Sequence, residues 1–249
     1  MKKALIVGCS HALGKEMELE PKFSAEIIDK LERSGRPVET YGATNSFPVL
    51  IANNLGCTTT LNHAISGGSN DAMFRIWEQE KNNLNSQDTV IACWTDEYRT
   101  EVFHDKLKCW LPMRQGEVHT WESIYDPVTL QGIQVNIEIP DKNLYVEFAK
   151  MKTTFESNEI AARTNKIKNI LALNLSAQAR QIKVINIDSF TYDQLGIQKD
   201  ITNITWASTE SFYTFCEARK YPKTPYNHYF TPAHREFANH CLQQLKLSC

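Results

Sequence analysis

The sequence predicts a three-layer α/β/α sandwich built around a central parallel β-sheet. Short apolar runs bounded by turn residues alternate along the chain with longer segments of helical periodicity. Strands and helices in that alternation form βαβ units, whose crossovers are right-handed. The predicted strands are residues 3–7, 57–62, 88–94 and 182–187.

The helical segments separate these strands and cover the two faces of the predicted sheet. The segment 45–55 has the expected helix start and stop signals, with Pro48 in its first turn and Gly56 just after its end. The predicted helices are 23–34, 45–55, 69–83, about 143–178 and 232–247. Two stretches fit the pattern less well, and we expect insertions at 15–43 and 96–142. The second is rich in aromatic residues and lacks a helix, which is typical of a lid or a substrate-binding insertion.

Composition narrows the function classes. A chain of 249 residues suits one domain, 1–249, that carries these insertions. Its formal net charge of -2 supports neither a nucleic acid nor a membrane as partner. The apolar run Ala4–Val7 is too short for a signal peptide, so we expect a cytoplasmic protein. The seven cysteines form no Cys-x-x-Cys pair, so we expect reduced thiols and no metal site.

The first strand leads directly into a candidate nucleophile, Ser10. Open parallel sheets bind their ligands at the carboxyl ends of their strands, which is where Ser10 lies. Gly8 and Gly14 permit a tight turn around it. A serine needs a base within hydrogen-bond reach to become a nucleophile. The alternative is that Ser10 merely caps the next helix.

The second strand is followed by Ala64-Ile65-Ser66-Gly67-Gly68-Ser69, which opens a helix. Paired glycines at a helix N-terminus leave backbone N–H groups pointing outward, where they suit a developing anion. The segment is equally compatible with an ordinary turn in which Ser69 is the helix N-cap. The two interpretations can hold together.

The third strand ends in Cys93-Trp94-Thr95-Asp96-Glu97-Tyr98-Arg99. The Thr95 hydroxyl could donate a hydrogen bond, and Asp96 could hold the loop or cap a helix. The alternative is a solvated loop in which Asp96 and Glu97 pair with Arg99.

The best candidate base is His228, which precedes the last helix in a loop that the fold can bring back to the first strand. His234 and His240 follow at six-residue intervals, a spacing that places no two of these rings on one helix face for a metal. For His234 and His240 we therefore expect surface or interface positions.

Taken in order, these segments resemble the SGNH (GDSL-type) hydrolase family. Gly8-Cys9-Ser10 resembles its Gly-Asp-Ser block, and the stretch through Gly67 resembles its second block. Thr95 stands in the third block, and His228 holds the histidine position of the fifth. The similarity is strongest to phage-associated and environmental members that carry Ala-Ile-Ser-Gly-Gly-Ser-Asn-Asp and a tryptophan at the third block. The resemblance implies a flavodoxin-like sheet, a Ser10–His228 pair, and an oxyanion hole formed by Ser10, Gly67 and Thr95.

The chain departs from this family at two polar positions. Thr95 replaces the asparagine of the third block, and Pro225 stands where the acid that orients the histidine belongs. Asn227, or Asp188 at the end of the fourth predicted strand, could orient His228 instead. Otherwise the site is a Ser–His dyad, which can retain activity at a much lower rate.

The resemblance implies an ester hydrolase that acts on a small-molecule or glycan ester, such as an O-acetylated sugar, without metal or organic cofactor. The alternative is a catalytically impaired binding or structural protein on the same fold, with residues 96–142 as its binding surface. Phosphoryl chemistry is disfavoured, because neither glycine-rich turn carries the lysine of a P-loop.

Overall fold

A central β-sheet and a small antiparallel sheet organise the chain. The computed structural model describes residues 1–15, 17, 44–114, 117–118, 121–126, 131–136, 142–156, 159–190, 197–198, 201, 203–224 and 227–247. The strands are β1 (Lys3–Gly8), β2 (Thr59–Asn62), β3 (Thr89–Trp94), β4 (Arg99–His104), β5 (Cys109–Arg114), β6 (Glu117–Val118), β7 (Trp121–Asp126), β8 (Gln131–Asn136) and β9 (Lys183–Asp188). The central sheet has the order β7-β8-β2-β1-β3-β9, and the small sheet has the order β4-β5-β6.

The four strands predicted from the sequence form the parallel core of the central sheet. β1 lies between β2 and β3, with Ile6 opposite Asn62 on one side and Gly8 opposite Cys93 on the other. β9 pairs in parallel with the outer side of β3. The resulting order β2-β1-β3-β9 is that of flavodoxin-like sheets, so the predicted fold class is confirmed.

The region 96–142 contains strands that the sequence analysis did not predict. β4, β5 and β6 form the small antiparallel sheet. β7 and β8 form an antiparallel pair, and β8 joins the edge of β2 through Asn62 and Gln131. The strands of the region 96–142 therefore extend the central sheet and also form a second, smaller sheet.

The helices agree with the predicted ones in place but not always in length. They are α1 (Ser10–Leu13), α2 (Phe47–Asn54), α3 (Asn70–Glu80), α4 (Lys142–Glu156), α5 (Glu159–Ala179), α6 (Phe212–Ala218) and α7 (Thr231–Leu247). The segment expected as one helix over about 143–178 corresponds to α4 and α5, and α6 was not predicted. The predicted helix 23–34, and almost all of the expected insertion 15–43, lie outside the described residues. None of the described helices combines the length and apolar character that crossing a bilayer would require.

Two hydrophobic clusters on opposite faces of the sheet account for the three layers. Successive residues of β1 alternate between them, because neighbouring side chains of a strand point to opposite faces. Ala4 and Ile6 pack with α2, α6 and α7, whereas Leu5 and Val7 pack with α3 and α5. Both faces of β1 are therefore covered, as expected for a parallel sheet.

The described cysteines behave as small apolar residues. Cys9, Cys57, Cys93, Cys216 and Cys241 are free and buried, as the sequence analysis expected. Burial raises the pKa of Cys93, Cys216 and Cys241, which keeps these thiols protonated and unreactive near neutral pH.

His234 is a core residue, so the expectation of a surface or interface position was wrong. It lies on α7 with 1% of its surface exposed, and its Nδ1 accepts a hydrogen bond of 3.1 Å from the N–H of Phe47. That N–H is at the start of α2, where backbone donors lack partners within the helix. Burial lowers the pKa of His234 to about 3. The neutral imidazole thus joins α7 to α2.

We predict that this histidine makes the fold sensitive to acid. The unfolded chain takes up the proton near pH 6.5 and the folded chain near pH 3, so stability present above pH 6.5 is lost as the pH falls between these values. At pH 5 this protonation lowers the free energy of unfolding by about 2 kcal/mol. Urea unfolding at pH 7.5 and pH 5 should therefore show a smaller loss of stability in His234→Asn than in the wild-type protein, and the asparagine side-chain oxygen can still accept the hydrogen bond from Phe47. An equal loss in both proteins would contradict this role.

Candidate active site

The predicted site residues lie at one edge of the central sheet. Ser10 follows β1, Gly67 follows β2, Thr95 follows β3, and Asp188 ends β9. Because these strands are parallel, their carboxyl ends meet at the same edge. β1 lies between β2 and β3, so the loops that carry Gly67 and Thr95 flank Ser10 on both sides.

A close approach of chains at Gly8 shapes the turn that holds Ser10. A Cβ atom at Gly8 would lie 2.5 Å from the Ala12 Cβ and 2.9 Å from the Cys93 Cβ, so a larger residue would displace α1 or β3. Gly8 also accepts a hydrogen bond of 2.9 Å from the Ile65 N–H through its carbonyl oxygen. The first strand therefore fixes both the Ser10 turn and the loop that leads to Gly67.

The two ends of the chain meet at His11, a residue to which the sequence analysis gave no role. Its ring stacks on Phe190 at 5.5 Å and meets the ring of His228 edge-on at 5.3 Å between centroids. Ser10 immediately precedes His11 and is 6% exposed. Among the described residues the Ser10 hydroxyl makes no hydrogen bond. Such bonds are often long in enzymes without substrate and tighten when it binds.

Main-chain hydrogen bonds hold the segment that carries His228. The Thr224 N–H donates to the His228 carbonyl at 2.8 Å, and the Asn227 N–H donates to the Thr224 carbonyl at 3.0 Å. The next residue, Tyr229, is fully buried and donates its hydroxyl to Glu217. These hydrogen bonds and the buried Tyr229 hold the backbone of His228 in place.

Burial, followed by the nearby charges of His228 and Arg99, holds the pKa of His11 well below its usual value. His11 is therefore neutral near neutral pH. Adjacent residues on a helix do not face each other, so His11 is poorly placed to act as a base for Ser10. Its ring instead packs against the ring of His228.

Three hydrogen-bond donors expected for an oxyanion hole have no described partner. The N–H groups of Ser10 and Gly67 make no hydrogen bond within the described residues, and the Gly67 backbone has a φ of 74°. The Thr95 hydroxyl is completely shielded from solvent and makes no hydrogen bond there either. A buried polar atom without a partner calls for an explanation, and a bound ligand is one.

Asn70 connects the second and third loops, a role that the sequence analysis missed. Its side-chain oxygen accepts from the Thr95 N–H at 3.0 Å, and its side-chain nitrogen donates to the Thr95 carbonyl at 3.3 Å. Asn70 begins α3, and Ser69 caps this helix by accepting from the Ala72 N–H, as expected. The Thr95 backbone is therefore fixed by the start of α3.

The two residues proposed to orient His228 have other described contacts. Asp188 is buried and accepts a hydrogen bond of 2.9 Å from the Lys166 Nζ. Asn227 is exposed and has a left-handed backbone with a φ of 63°. Orientation of His228 by either residue stays a prediction.

The loop after β3 differs from the solvated, charge-paired loop that was its alternative interpretation. Asp96 is 6% exposed and accepts from the Tyr98 N–H at 3.0 Å, so it holds the loop. Glu97 lies 4.0 Å from Lys166. Arg99 is 9% exposed and forms no ion pair with the described carboxylates, so the expected pairing with Asp96 and Glu97 was wrong.

No family model and no curated protein matches the chain. A search of solved structures does find similar proteins. It is similar to a lipolytic protein of the G-D-S-L family from Desulfitobacterium hafniense DCB-2, at 11% identity and a TM-score of 0.43 over 98% of this chain and 99% of the other. It is similar to the psychrotrophic esterase EstA from a Pseudoalteromonas species, at 10% identity and a TM-score of 0.46 over 99% and 97%. It is also similar to a catalytic mutant of Axe2, an acetylxylan esterase from Geobacillus stearothermophilus, at 13% identity and a TM-score of 0.46 over 98% and 93%. All three neighbours carry esterase or lipolytic names.

We predict that the buried Lys166–Asp188 pair supports this edge of the sheet. Lys166→Met should lower the free energy of unfolding by about 3–5 kcal/mol, because it leaves a buried carboxylate without its cation. The double variant Lys166→Met with Asp188→Asn removes that charge and should be more stable than Lys166→Met alone. Urea unfolding of the two variants measures the difference, and equal stability would show that the pair is not coupled.

Proposed function

We propose that the chain is a serine ester hydrolase that removes an acyl group, such as acetyl, from a small-molecule or glycan ester. Ser10 Oγ attacks the acyl carbon while His228 takes the serine proton. The bond to the alcohol then breaks, and the alcohol leaves with the proton from His228. Water attacks the acyl-enzyme with His228 again as base, which releases the carboxylic acid and restores Ser10. These steps require no cofactor.

The observation that carries this proposal is the buried Thr95 hydroxyl without a described partner beside the Ser10 turn. A tetrahedral intermediate places negative charge on the former carbonyl oxygen, and donors held in advance stabilise it strongly. The Ser10 and Gly67 N–H groups supply two further donors, from the turn after β1 and the loop after β2. The sequence resemblance assigns the same three positions to an oxyanion hole, which supports the interpretation independently of the hydrogen bonds.

Ser10 and His228 form the proposed catalytic pair. Pro225 stands where the resembled family carries the acid that orients the histidine. The hydrogen bonds between Thr224 and His228, together with the His11 ring, would help to orient the imidazole. Loss of the orienting acid lowers a rate by several orders of magnitude without abolishing it. We therefore expect slow turnover with simple aryl esters.

The first test is labelling by a fluorophosphonate probe, with hydrolysis of para-nitrophenyl acetate as a second measurement. Ser10→Ala should abolish labelling and reduce hydrolysis by a factor of about 10³ or more. Its thermal midpoint should hardly change, since no side-chain hydrogen bond of Ser10 is found among the described residues. Ser189→Ala, a buried serine at the same sheet edge, is the matched control and should still be labelled.

Two results would contradict the proposal. If the wild-type protein is neither labelled nor active, the chain is a binding or structural protein on a hydrolase-like fold. If Ser10→Ala keeps its labelling and activity, another residue is the nucleophile.

The second test separates the proposed role of Thr95 from packing. Thr95→Val keeps the shape of the side chain and removes the hydroxyl, so kcat should fall by about 10²–10³-fold. Stability should be kept or raised, because the lost hydroxyl has no described hydrogen bond. Thr95→Ser retains the donor and should lose much less activity. An unchanged kcat in Thr95→Val, or a large drop in its thermal midpoint, would remove Thr95 from the oxyanion hole.

A further inference from the structure

Arg99 is a buried cation without a described partner. It is the first residue of β4, five positions after β3 ends, and 9% of its surface is exposed. Its Nε and Nη1 atoms are shielded from solvent and make no hydrogen bond within the described residues. Arg75, on the adjoining α3, differs, because its guanidinium forms bonds of 2.8 and 2.9 Å with both carboxylate oxygens of Glu101.

An unpaired guanidinium in this position is costly for the folded protein. Burial removes water from a charged group, and the cost is offset when the group is paired and hydrogen-bonded. The described contact of the Arg99 guanidinium is with the Phe190 ring, 5.8 Å from its central carbon to the ring centroid. A cation over an aromatic face recovers part of the lost hydration but uses none of the N–H donors.

Arg99 also lies close to the candidate catalytic residues. The Phe190 ring under its guanidinium stacks on His11, which contacts His228. Its positive charge is among the causes that lower the pKa of His11. A ligand group bound to Arg99 would therefore lie within one side-chain layer of the Ser10 turn.

Arg99 is one of the residues that line a large cavity. Its volume is about 930 Å³, within the range of small-molecule sites, and it extends between α3 and α5 towards Trp110. Acidic residues line it, but they have partners. Asp71 accepts from Asn169 at 2.8 Å and from Asn165 at 3.0 Å, and Glu101 is held by Arg75. Arg99 is thus a cation at this cavity whose Nε and Nη1 donors are not used by the described protein groups.

We propose that Arg99 binds a carboxylate of the substrate, so that the ester hydrolysed at Ser10 belongs to a molecule that carries an acid group. This inference rests on the proposed function and names its substrate class. The planar guanidinium presents donors in a fork that fits the two oxygens of a carboxylate.

The charges of the cavity favour a carboxylate over a phosphate. Four acids line the same space as Arg99, against three other cations: Asp71, Glu78, Glu97 and Glu101, against Arg75, Lys152 and Lys168. By formal charge, Arg99 therefore brings the lining to neutrality. A carboxylate carries one charge, which the Arg99 guanidinium can pair, whereas a phosphate monoester carries nearly two at neutral pH and its second charge would find no spare cation.

Binding to the Ser10→Ala protein tests the inference without requiring turnover. The probes are meta-acetoxybenzoate, its neutral isostere meta-acetoxybenzamide and meta-acetoxyphenyl phosphate, each titrated by calorimetry. The benzoate should bind about tenfold to a hundredfold more tightly than the amide, as expected for a charge-assisted hydrogen-bonded pair. Equal affinities for benzoate and amide would overturn the proposal, and a preference for the phosphate would overturn the choice of carboxylate.

Variants then attribute the preference to Arg99. In the Ser10→Ala background, Arg99→Gln should remove the preference for benzoate, and Arg99→Lys should keep part of it. Arg180→Gln, which removes the same charge from an exposed position on the protein surface, should keep all of it. A preference that survives Arg99→Gln would overturn the assignment.

Stability provides a readout that separates ligand binding from a structural role. Loss of an unpaired buried charge should leave the thermal midpoint of Arg99→Gln equal or higher, whereas a structural arginine would lower it. In the wild-type protein, the ratio of kcat/KM for benzoate to that for amide should exceed ten. If neither ester is hydrolysed while the benzoate still binds preferentially, the proposed function fails and the carboxylate site stands.

Discussion

The parallel pairing of β1 with both β2 and β3 is the constraint on which the rest of the site depends. It places three loops side by side at one sheet edge, with the Ser10 turn in the middle. Gly8 is the tightest point of this arrangement, because a Cβ atom there would collide with both α1 and β3. The backbone thus determines where Ser10 can lie before any side-chain interaction contributes.

Two kinds of buried polar group surround that edge. Asn70, Asp96 and the Lys166–Asp188 pair have described hydrogen bonds that hold the loops in place. Thr95 and Arg99 are also buried, yet the Thr95 hydroxyl and the Nε and Nη1 of Arg99 make no described hydrogen bond. The first set holds the loops, and the second set contains the groups that we propose to contact the oxyanion and a substrate carboxylate. The unsatisfied set costs stability, which proteins accept at functional sites.

The sequence predicted the parallel core well because β1 and β3 are apolar runs bounded by turns. It did not predict β4 to β8, because short strands of mixed polar and apolar residues give weak signals. Contacts between residues that are far apart in the sequence could not be predicted either. Lys166 meets Asp188 across a helix and a strand, and His234 reaches Phe47 over 187 positions. The alternative interpretation of the loop paired Arg99 with Asp96 and Glu97, but Arg99 begins β4 and forms no ion pair with the described carboxylates.

The uncharged state of His11 bears directly on the charge that His228 gains in the proposed reaction. In the proposed reaction His228 becomes an imidazolium, and a second positive charge at 5.3 Å would oppose that step. Burial keeps His11 uncharged, so its ring can support His228 without repelling it. The charge of Arg99 remains, and it acts in the opposing direction. A substrate carboxylate on Arg99 would neutralise that charge as the substrate binds, so the same contact that selects the substrate would favour proton transfer to His228.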